Sequence, residues 1–134
     1  MVLSEDDYGS RRIRFTVFLS VDYSKLKKVS TFIAKRLAPH FGGLSIFGSD
    51  SGSSLMGYWV DGAQCFKEMY TGQLVEECVL CVVLSVLPKY EERAHDEIRS
   101  TIMDAAHEFA LNSKFVHVET FSVHARHFDI SEDL

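Results

Sequence analysis

Apolar and polar residues alternate along residues 12–21, and a period of two is typical of a β-strand with one side exposed. One side of this predicted strand consists of Ile13, Phe15, Val17 and Leu19. After Asp22 or Ser24, either of which can cap a helix, the apolar spacing becomes helical. The residues that show this spacing are Leu26, Val29, Ile33 and Leu37. Pro39 and Gly42 with Gly43 are expected to end the helix.

The middle of the chain contains two short strand-like pieces, Leu44–Phe47 and Leu55–Val60. Between them lies a glycine- and serine-rich stretch, residues 48–54, which we call the Gly/Ser segment. Two strands around such a stretch predict a β-hairpin with the Gly/Ser segment at its tip. Residues 63–73 fit either a short helical turn or a loop.

The second half of the chain begins with a predicted strand over Leu74–Leu87. Its residues 78–86 are apolar at nearly every position, which indicates a central strand covered on both faces. Residues 89–111 then show an amphipathic helical pattern, and Asn112 is a plausible end for it. A last strand is expected over Phe115–Phe128.

The predicted order is therefore β-α-β(β)-β-α-β, which is the order of the ferredoxin-like α+β sandwich. In that fold two helices pack on one face of an antiparallel sheet, and here an extra β-hairpin is expected. We predict a single α+β domain over residues 11–128, a flexible acidic N-terminus over residues 1–10 and an acidic tail over residues 129–134.

Two helices can cover only one face of such a sheet, yet the strand over residues 78–86 is apolar on both faces. Phe18 and Phe121 add apolar surface to the uncovered side. A second copy of the chain would bury this surface, so a homodimer or higher homo-oligomer is expected. The alternative is that the hairpin or residues 63–73 fold back over the sheet.

The composition is that of a globular protein, with 46% hydrophobic residues among 134. No apolar run reaches the length of a membrane span, and the first residues are acidic where a secretory signal is basic. We therefore expect a cytoplasmic protein with no membrane partner. Cys65, Cys78 and Cys81 are expected to be reduced and buried, and the Cys78-x-x-Cys81 pair is expected to point to opposite faces of a strand.

The net charge of −5 argues against nucleic acid as a partner, but the charge is unevenly distributed. Residues 11–40 hold eight Lys and Arg residues against Asp22, which gives +7 and leaves −12 for the rest. Such a local positive potential favours small anionic ligands.

Three groups of residues are candidates for contacting such a ligand. Arg12, Arg14 and Lys28 supply positive charge, and the Gly/Ser segment supplies backbone N–H and hydroxyl donors. An aromatic residue of the pair Tyr58 and Trp59 could stack on a base. The predicted ligand-binding residues are Arg12, Arg14, Lys28, Gly48, Ser49, Ser51, Ser53, Tyr58 and Trp59. The alternatives are a mobile loop at residues 48–54 and a solvated basic helix face.

Catalytic and metal-binding signals are weak. His117 and Glu119 share a strand face, and Asp104 and His107 are helical neighbours, so either pair could support acid–base chemistry. The zinc-ligand spacings are absent, and so are the glycine patterns of phosphate-binding loops and the nucleophile elbow. We expect no catalytic residue, no metal and no cofactor.

These observations favour a non-enzymatic oligomeric binder of a small anionic ligand, nucleotide-like or phosphorylated, that acts by sequestration or as a regulatory subunit. One alternative is a protein–protein interaction module without a small-molecule ligand. Another is a small acid–base enzyme that uses His117 and Glu119. The sequence identifies neither the ligand nor the oligomer number.

Overall fold

The computed structural model describes residues 9–50, 52, 54–63, 65–112 and 116–131. Within these described ranges the chain forms five strands and two α-helices, and a 3-10 turn precedes each helix. The elements are β1 (Gly9–Ser20), α1 (Leu26–Phe41), β2 (Ser45–Phe47), β3 (Leu55–Val60), β4 (Leu74–Val86), α2 (Glu91–Glu108) and β5 (His117–Arg126). Each predicted strand and helix is present, and β1 begins two residues before the predicted start of the domain.

The strands form one antiparallel sheet in the order β2-β4-β1-β5, and β3 also pairs with β4. Both helices pack on the same face of this sheet. The two central strands, β1 and β4, are neighbours in the sheet although they are not consecutive in the sequence. This strand order is that of the ferredoxin-like sandwich. The predicted fold class is confirmed.

The predicted hairpin between Leu44–Phe47 and Leu55–Val60 is wrong. Both pieces pair with β4, where Phe47 lies opposite Cys81 and Leu55 lies opposite Val79. Because Val79 also pairs with Ser20 of β1, β2 and β3 lie end to end along the other edge of β4. β4 is thirteen residues long and offers backbone partners to both pieces, so the Gly/Ser segment leaves the sheet edge opposite Leu80. The antiparallel neighbour of β3 is β4, reached through residues 61–73.

The core lies between the sheet and the helices. α1 and α2 each present a row of small and medium apolar side chains to the inner side of β1 and β4. The buried side chains of this layer include Phe15, Val17, Leu19, Leu26, Val29, Ile33, Leu37, Leu80, Val82, Leu84, Ala94, Ile98, Ile102 and Ala105. Among the helices of the described residues, none combines the length and apolar character that crossing a bilayer requires.

The ends of the helices differ from the predictions in detail. Neither Asp22 nor Ser24 caps α1 with its side chain; instead the Asp22 carboxylate lies 3.1 Å from Lys25 Nζ. Pro39 is accommodated inside α1, and Gly42 ends the helix with a φ of 80° and an N–H that donates to the Ala38 carbonyl. α2 ends at Glu108, before the predicted Asn112. Glycine, rather than proline, therefore stops α1, because the left-handed conformation at a helix end favours glycine.

Candidate anion-binding site

The sheet face opposite the helices, which we call the open face, is covered by neither α1 nor α2. Alternate residues of the strands point to it, among them Arg12, Arg14, Thr16, Phe18, Phe47, Leu55, Val79, Cys81, Val83, Ser85, Glu119 and Phe121. Phe47, Phe121 and Leu55 are 53%, 46% and 39% exposed. The predicted two-sided apolar character of β4 is confirmed, because Val79 and Cys81 are buried on this side.

Arg14 lies near one end of the open face, between Ser85 of β4 and Phe121 of β5. Its guanidinium carbon is 5.5 Å from the centroid of the Phe121 ring, within cation–π range. Its Nε–H is buried and has no acceptor among the described residues. A buried donor without a partner costs about 1–3 kcal/mol, which makes Arg14 the feature of this face that most needs an explanation.

A shallow depression of about 540 Å³ opens beside Arg14. Ser45 and Ser85 contribute hydroxyl groups to its wall, and Val83 contributes an apolar side. The charge of Arg14 also reaches along the open face to Cys81. Burial raises the pKa of the Cys81 thiol, and the nearby Arg14 guanidinium partly offsets this rise. The depression thus combines one cation with hydroxyl donors, which suits an anionic ligand.

Arg12 lies two residues before Arg14 on the same strand face, so their Cα atoms are about 7 Å apart. An Arg12 Nη1 donates hydrogen bonds to Ser10 Oγ and, at 3.2 Å, to the Arg11 carbonyl. Arg12 lines a second, neighbouring cavity that shares Ser85 with the depression beside Arg14. The structure therefore brings these two predicted residues together.

The Gly/Ser segment is only partly described, since Ser51 and Ser53 lie outside the described residues. Gly48 has a φ of 90°, and a Cβ at this position would lie 2.5 Å from the Val79 carbonyl oxygen. Ser49 is half-buried beside it. Gly48 is thus required by the close approach of the segment to β4, whatever its part in ligand binding.

Replacing Gly48 with alanine is expected to lower the free energy of unfolding by about 1–3 kcal/mol, since it adds both backbone strain and a contact with β4. Chemical denaturation of the two proteins measures the difference. Gly52→Ala is the matched control in the same segment, because its Cβ would make only an ordinary contact with the Asp50 side chain. Equal losses in the two variants would contradict this account of Gly48.

The aromatic pair and Lys28 lie elsewhere. Trp59 reaches the open face, where its Nε1–H donates to Glu77 Oε2 at 2.9 Å, while Tyr58 lies on the other side of β3 and is exposed. Trp59 is opposite Val75, ten residues along β4 from Ser85, so it is about 33 Å from the level of Arg14. Lys28 is exposed on α1, in the helix layer. Within one chain, these three residues do not join Arg12 and Arg14.

His117 and Glu119 do form the predicted pair, with Nε2 and Oε2 2.7 Å apart. Both side chains are exposed at the β5 side of the open face, outside the two cavities described here. The Asp104 carboxylate pairs with Arg36 of α1, which links the two helices. Within the described ranges, no group of three or more His, Cys, Asp or Glu side chains could hold a metal ion.

The expectation for the cysteines is only partly confirmed. Cys78 and Cys81 point to opposite faces of β4, as alternation requires, and Cys81 is buried. Cys78 is half-buried with its Sγ 3.9 Å from Met56 Sδ. The expectation that Cys65 is buried is wrong, because it lies exposed in the loop before β4.

Several residues of the two cavities carried no signal in the sequence. Arg93 comes from the first turn of α2, Tyr90 from the 3-10 turn before it, and His40 from the end of α1. They meet Arg12 only because both helices end or begin at the same end of the sheet. Local periodicity places each on its own element but contains nothing about this meeting.

No protein-family model matches this chain, and no curated protein sequence matches it. Solved structures with a similar chain course include a phage SAM lyase in complex with S-methyl-5'-thioadenosine, at 14% identity and a TM-score of 0.45, covering 88% of this chain and 93% of that chain. Divalent ion tolerance protein CutA1 from Ehrlichia chaffeensis has 6% identity and a TM-score of 0.45, covering 92% and 88%. CPII bound to ADP and bicarbonate, from Thiomonas intermedia K12, has 12% identity and a TM-score of 0.41, covering 89% and 92%. At such values the likeness says nothing about ligand or activity. What the chain's own architecture defines is a small ferredoxin-like α+β protein whose two helices cover one face of the sheet.

Proposed function

We propose that this protein is a non-enzymatic, oligomeric binder of a small anionic ligand, nucleotide-like or phosphorylated. It acts by sequestering the ligand or as a regulatory subunit. The observation that carries the proposal is Arg14, a cation stacked on Phe121 with a buried Nε–H that has no acceptor among the described residues. Ser45 and Ser85 lie beside it in the same depression.

The surroundings of Arg14 favour binding because its side chain is already held in one position. Its side chain is already held by the strand beneath it and by the Phe121 ring, so less conformational entropy is lost when a ligand arrives. A phosphate or carboxylate oxygen would accept hydrogen bonds from the guanidinium group and neutralise its charge. The hydroxyl groups of Ser45 and Ser85 can donate to the same anion.

The oligomer is supported by the size of the open face. The paired segments of β1 and β4 are eight residues long, about 26 Å, and four strands side by side are about 19 Å wide. The resulting area of roughly 500 Å², enlarged by protruding side chains, approaches the ~800 Å² that each partner buries in a standard interface. A second copy stacked on this face would place the Arg14 depression at the edge of the interface.

The proposal is tested by a thermal-shift screen against nucleotides, cyclic nucleotides and sugar phosphates. A ligand at about 100 times its dissociation constant stabilises the folded state by ~2.7 kcal/mol, which raises the Tm by several degrees. Arg14→Gln is expected to weaken the binding of the best compound about tenfold, because one charge-assisted hydrogen bond is lost.

Arg99→Gln is the control. Arg99 is exposed on α2, so this substitution removes the same charge from the helix layer. It is expected to bind as the wild type does. A screen in which no anionic compound raises the Tm, or equal binding by Arg14→Gln and the wild type, would refute the proposal.

The exposed apolar side chains Phe47, Leu55 and Phe121 also favour a second candidate, a protein–protein interaction module. In that case the open face binds a different protein instead of a second copy. Sedimentation separates the two candidates, because a binder of this kind is an oligomer on its own and the module is a monomer until its partner is added.

A further inference from the structure

β3 and the first half of β4 form a two-stranded arm, residues 55–60 with residues 74–79, which we call the ribbon. The register that joins β4 to β1 ends at Val79, so most of the ribbon extends beyond it, by about 17 Å. The open-face side of the ribbon carries Trp59 and Glu77. A two-stranded ribbon is only marginally stable by itself, so contact with another surface would stabilise this one.

Trp59 is held in one orientation on this side of the ribbon. Its Nε1–H donates a hydrogen bond to Glu77 Oε2 at 2.9 Å, and its ring lies over Gly57. A Cβ at Gly57 would lie 2.6 Å from both Trp59 Cζ2 and Val79 Cγ2, so glycine leaves room for the ring. The indole therefore leans towards Val79, which is still six residues, about 20 Å, from Ser85 in the Arg14 depression. Within one chain the ring does not reach that depression.

The middle of β4 decides how two copies can be stacked by their open faces. β4 spans Leu74–Val86, so its central residue is Leu80. Two aligned sheets cover the whole of β4 when the two β4 strands run either in the same direction or in opposite directions. In the first case Glu77 lies over the partner's Glu77, and the two carboxylates repel each other. In the second case, with inversion about Leu80, Glu77 lies over the partner's Val83, in the wall of the depression that holds the Arg14 cation. Charge complementarity therefore favours opposite directions.

This antiparallel stack also brings together the two short strands at the edge of β4. β2 and β3 lie end to end on that edge, so inversion about Leu80 places β3 of one copy over β2 of the other. Phe47 is opposite Cys81 and Leu55 is opposite Val79, one residue to either side of Leu80. Phe47 of one copy thus lies over the partner's Leu55. The two side chains are 53% and 39% exposed in the single chain, and the stack buries both.

The same inversion places Gly57, and the indole lying over it, above Ser45 of the other copy, because Gly57 is opposite Glu77 and Ser45 is opposite Val83. Ser45 and Val83 belong to the wall of the Arg14 depression.

We propose that the partner's Trp59 completes the Arg14 site as a stacking platform, and that the ligand is a nucleotide. Its phosphate binds Arg14 of one copy, and its base stacks on the indole of the other. Each copy supplies the cation of one site and the indole of the second site. This inference rests on the proposed function and adds the class of ligand and the need for two copies.

The first test compares AMP with ribose 5-phosphate, which carries the phosphate without the base, in calorimetric titrations of the full chain. The wild type is expected to bind AMP at least about tenfold more tightly, because stacking of the base adds to the phosphate contacts. Trp59→Ala is expected to remove this preference and to leave ribose 5-phosphate binding unchanged, and Trp59→Phe should retain part of it. Tyr58→Ala is the matched control, since Tyr58 is exposed on the other side of β3, and it should keep the preference.

Trp59 is the single tryptophan of the chain, so its fluorescence reports on the stacking directly. AMP is expected to quench this fluorescence, whereas ribose 5-phosphate is not.

The second test shows whether the site is shared between copies. Arg14→Gln and Trp59→Ala are each expected to bind AMP about tenfold more weakly than the wild type. The two variants are co-expressed with different tags, and the mixed oligomer is purified. In a mixed pair, one of the two sites combines an intact Arg14 with an intact Trp59, so about half of the sites should regain wild-type affinity. If both residues acted within one chain, no site would be restored.

Equal affinity of the wild type for AMP and ribose 5-phosphate, wild-type AMP binding by Trp59→Ala, or a mixed oligomer without restored sites would overturn the inference. If Arg14→Gln nevertheless weakens the binding of ribose 5-phosphate, the proposed function stands without the shared site. Thermal unfolding of each variant excludes misfolding as the cause of any loss.

Discussion

Replacing Phe15 with alanine is expected to lower the free energy of unfolding by about 3–5 kcal/mol. Phe15 is 1% exposed and lies on β1 between Leu84 of β4 and Thr120 of β5, facing the helices. Truncation removes most of the largest buried side chain and leaves a cavity. Because β1 is hydrogen-bonded to β4 on one side and to β5 on the other, the strand cannot move to fill this cavity. Urea denaturation followed by circular dichroism measures the change.

The control for this variant is Phe66→Ala, which makes the same chemical change at a side chain that is 97% exposed. It is expected to alter stability by less than about 0.5 kcal/mol. Both variants are compared with the wild type at equal protein concentration, because association would stabilise the folded state. A loss below about 1 kcal/mol for Phe15→Ala would contradict the packing described here.

Replacing Phe47 with glutamate is expected to weaken self-association about 30-fold, which corresponds to about 2 kcal/mol. Phe47 lies on the open face opposite Cys81, and more than half of its side chain is exposed in the isolated chain. A second copy on this face would have to bury the new carboxylate without a partner, at a high desolvation cost. Sedimentation velocity over a range of concentrations measures the shift towards monomer.

Met103→Glu is the matched control, since Met103 is similarly exposed but lies on α2 in the helix layer. It is expected to associate as the wild type does. If the wild type is monomeric at every concentration, or if Phe47→Glu associates as strongly as the wild type, the open face does not join two copies. Circular dichroism confirms that the variants remain folded.

Much of the fold could be predicted because short-range periodicity reports which face of an element is buried. Alternation placed Phe15 and Val17 on one side of β1, and the helical spacing identified α1 before any tertiary contact was known. The pairing of β2 and β3 could not be predicted in the same way. β2 and β3 both pair with β4 because β4 is long enough to hold them end to end. A glycine-rich connection between two strands is equally compatible with a hairpin and with a loop that joins two strands on the same sheet edge.

From the sequence, candidate site residues could be grouped correctly only where they lie on the same strand. Arg12 and Arg14 share a face because two residues separate them, and this holds in any sheet. Lys28 does not join them because it lies on α1, which packs on the other face of the sheet. Trp59 does not join them within one chain because β3 is offset along β4. Both arrangements are tertiary, and local sequence patterns do not report them. Arg93 reaches the neighbouring cleft through the same kind of long-range arrangement, so no local pattern announces it.

The end-to-end placement of β2 and β3 on one edge of β4 has a consequence for how this chain can diverge. Both pieces are aligned independently by β4, at Phe47 with Cys81 and at Leu55 with Val79. Residues added or removed between Asp50 and Leu55 would therefore shift neither alignment, and each doubling of such a loop costs only about 0.6 kcal/mol. This point of the chain can accept a grafted peptide or a change of length during evolution while the sheet on either side stays as it is.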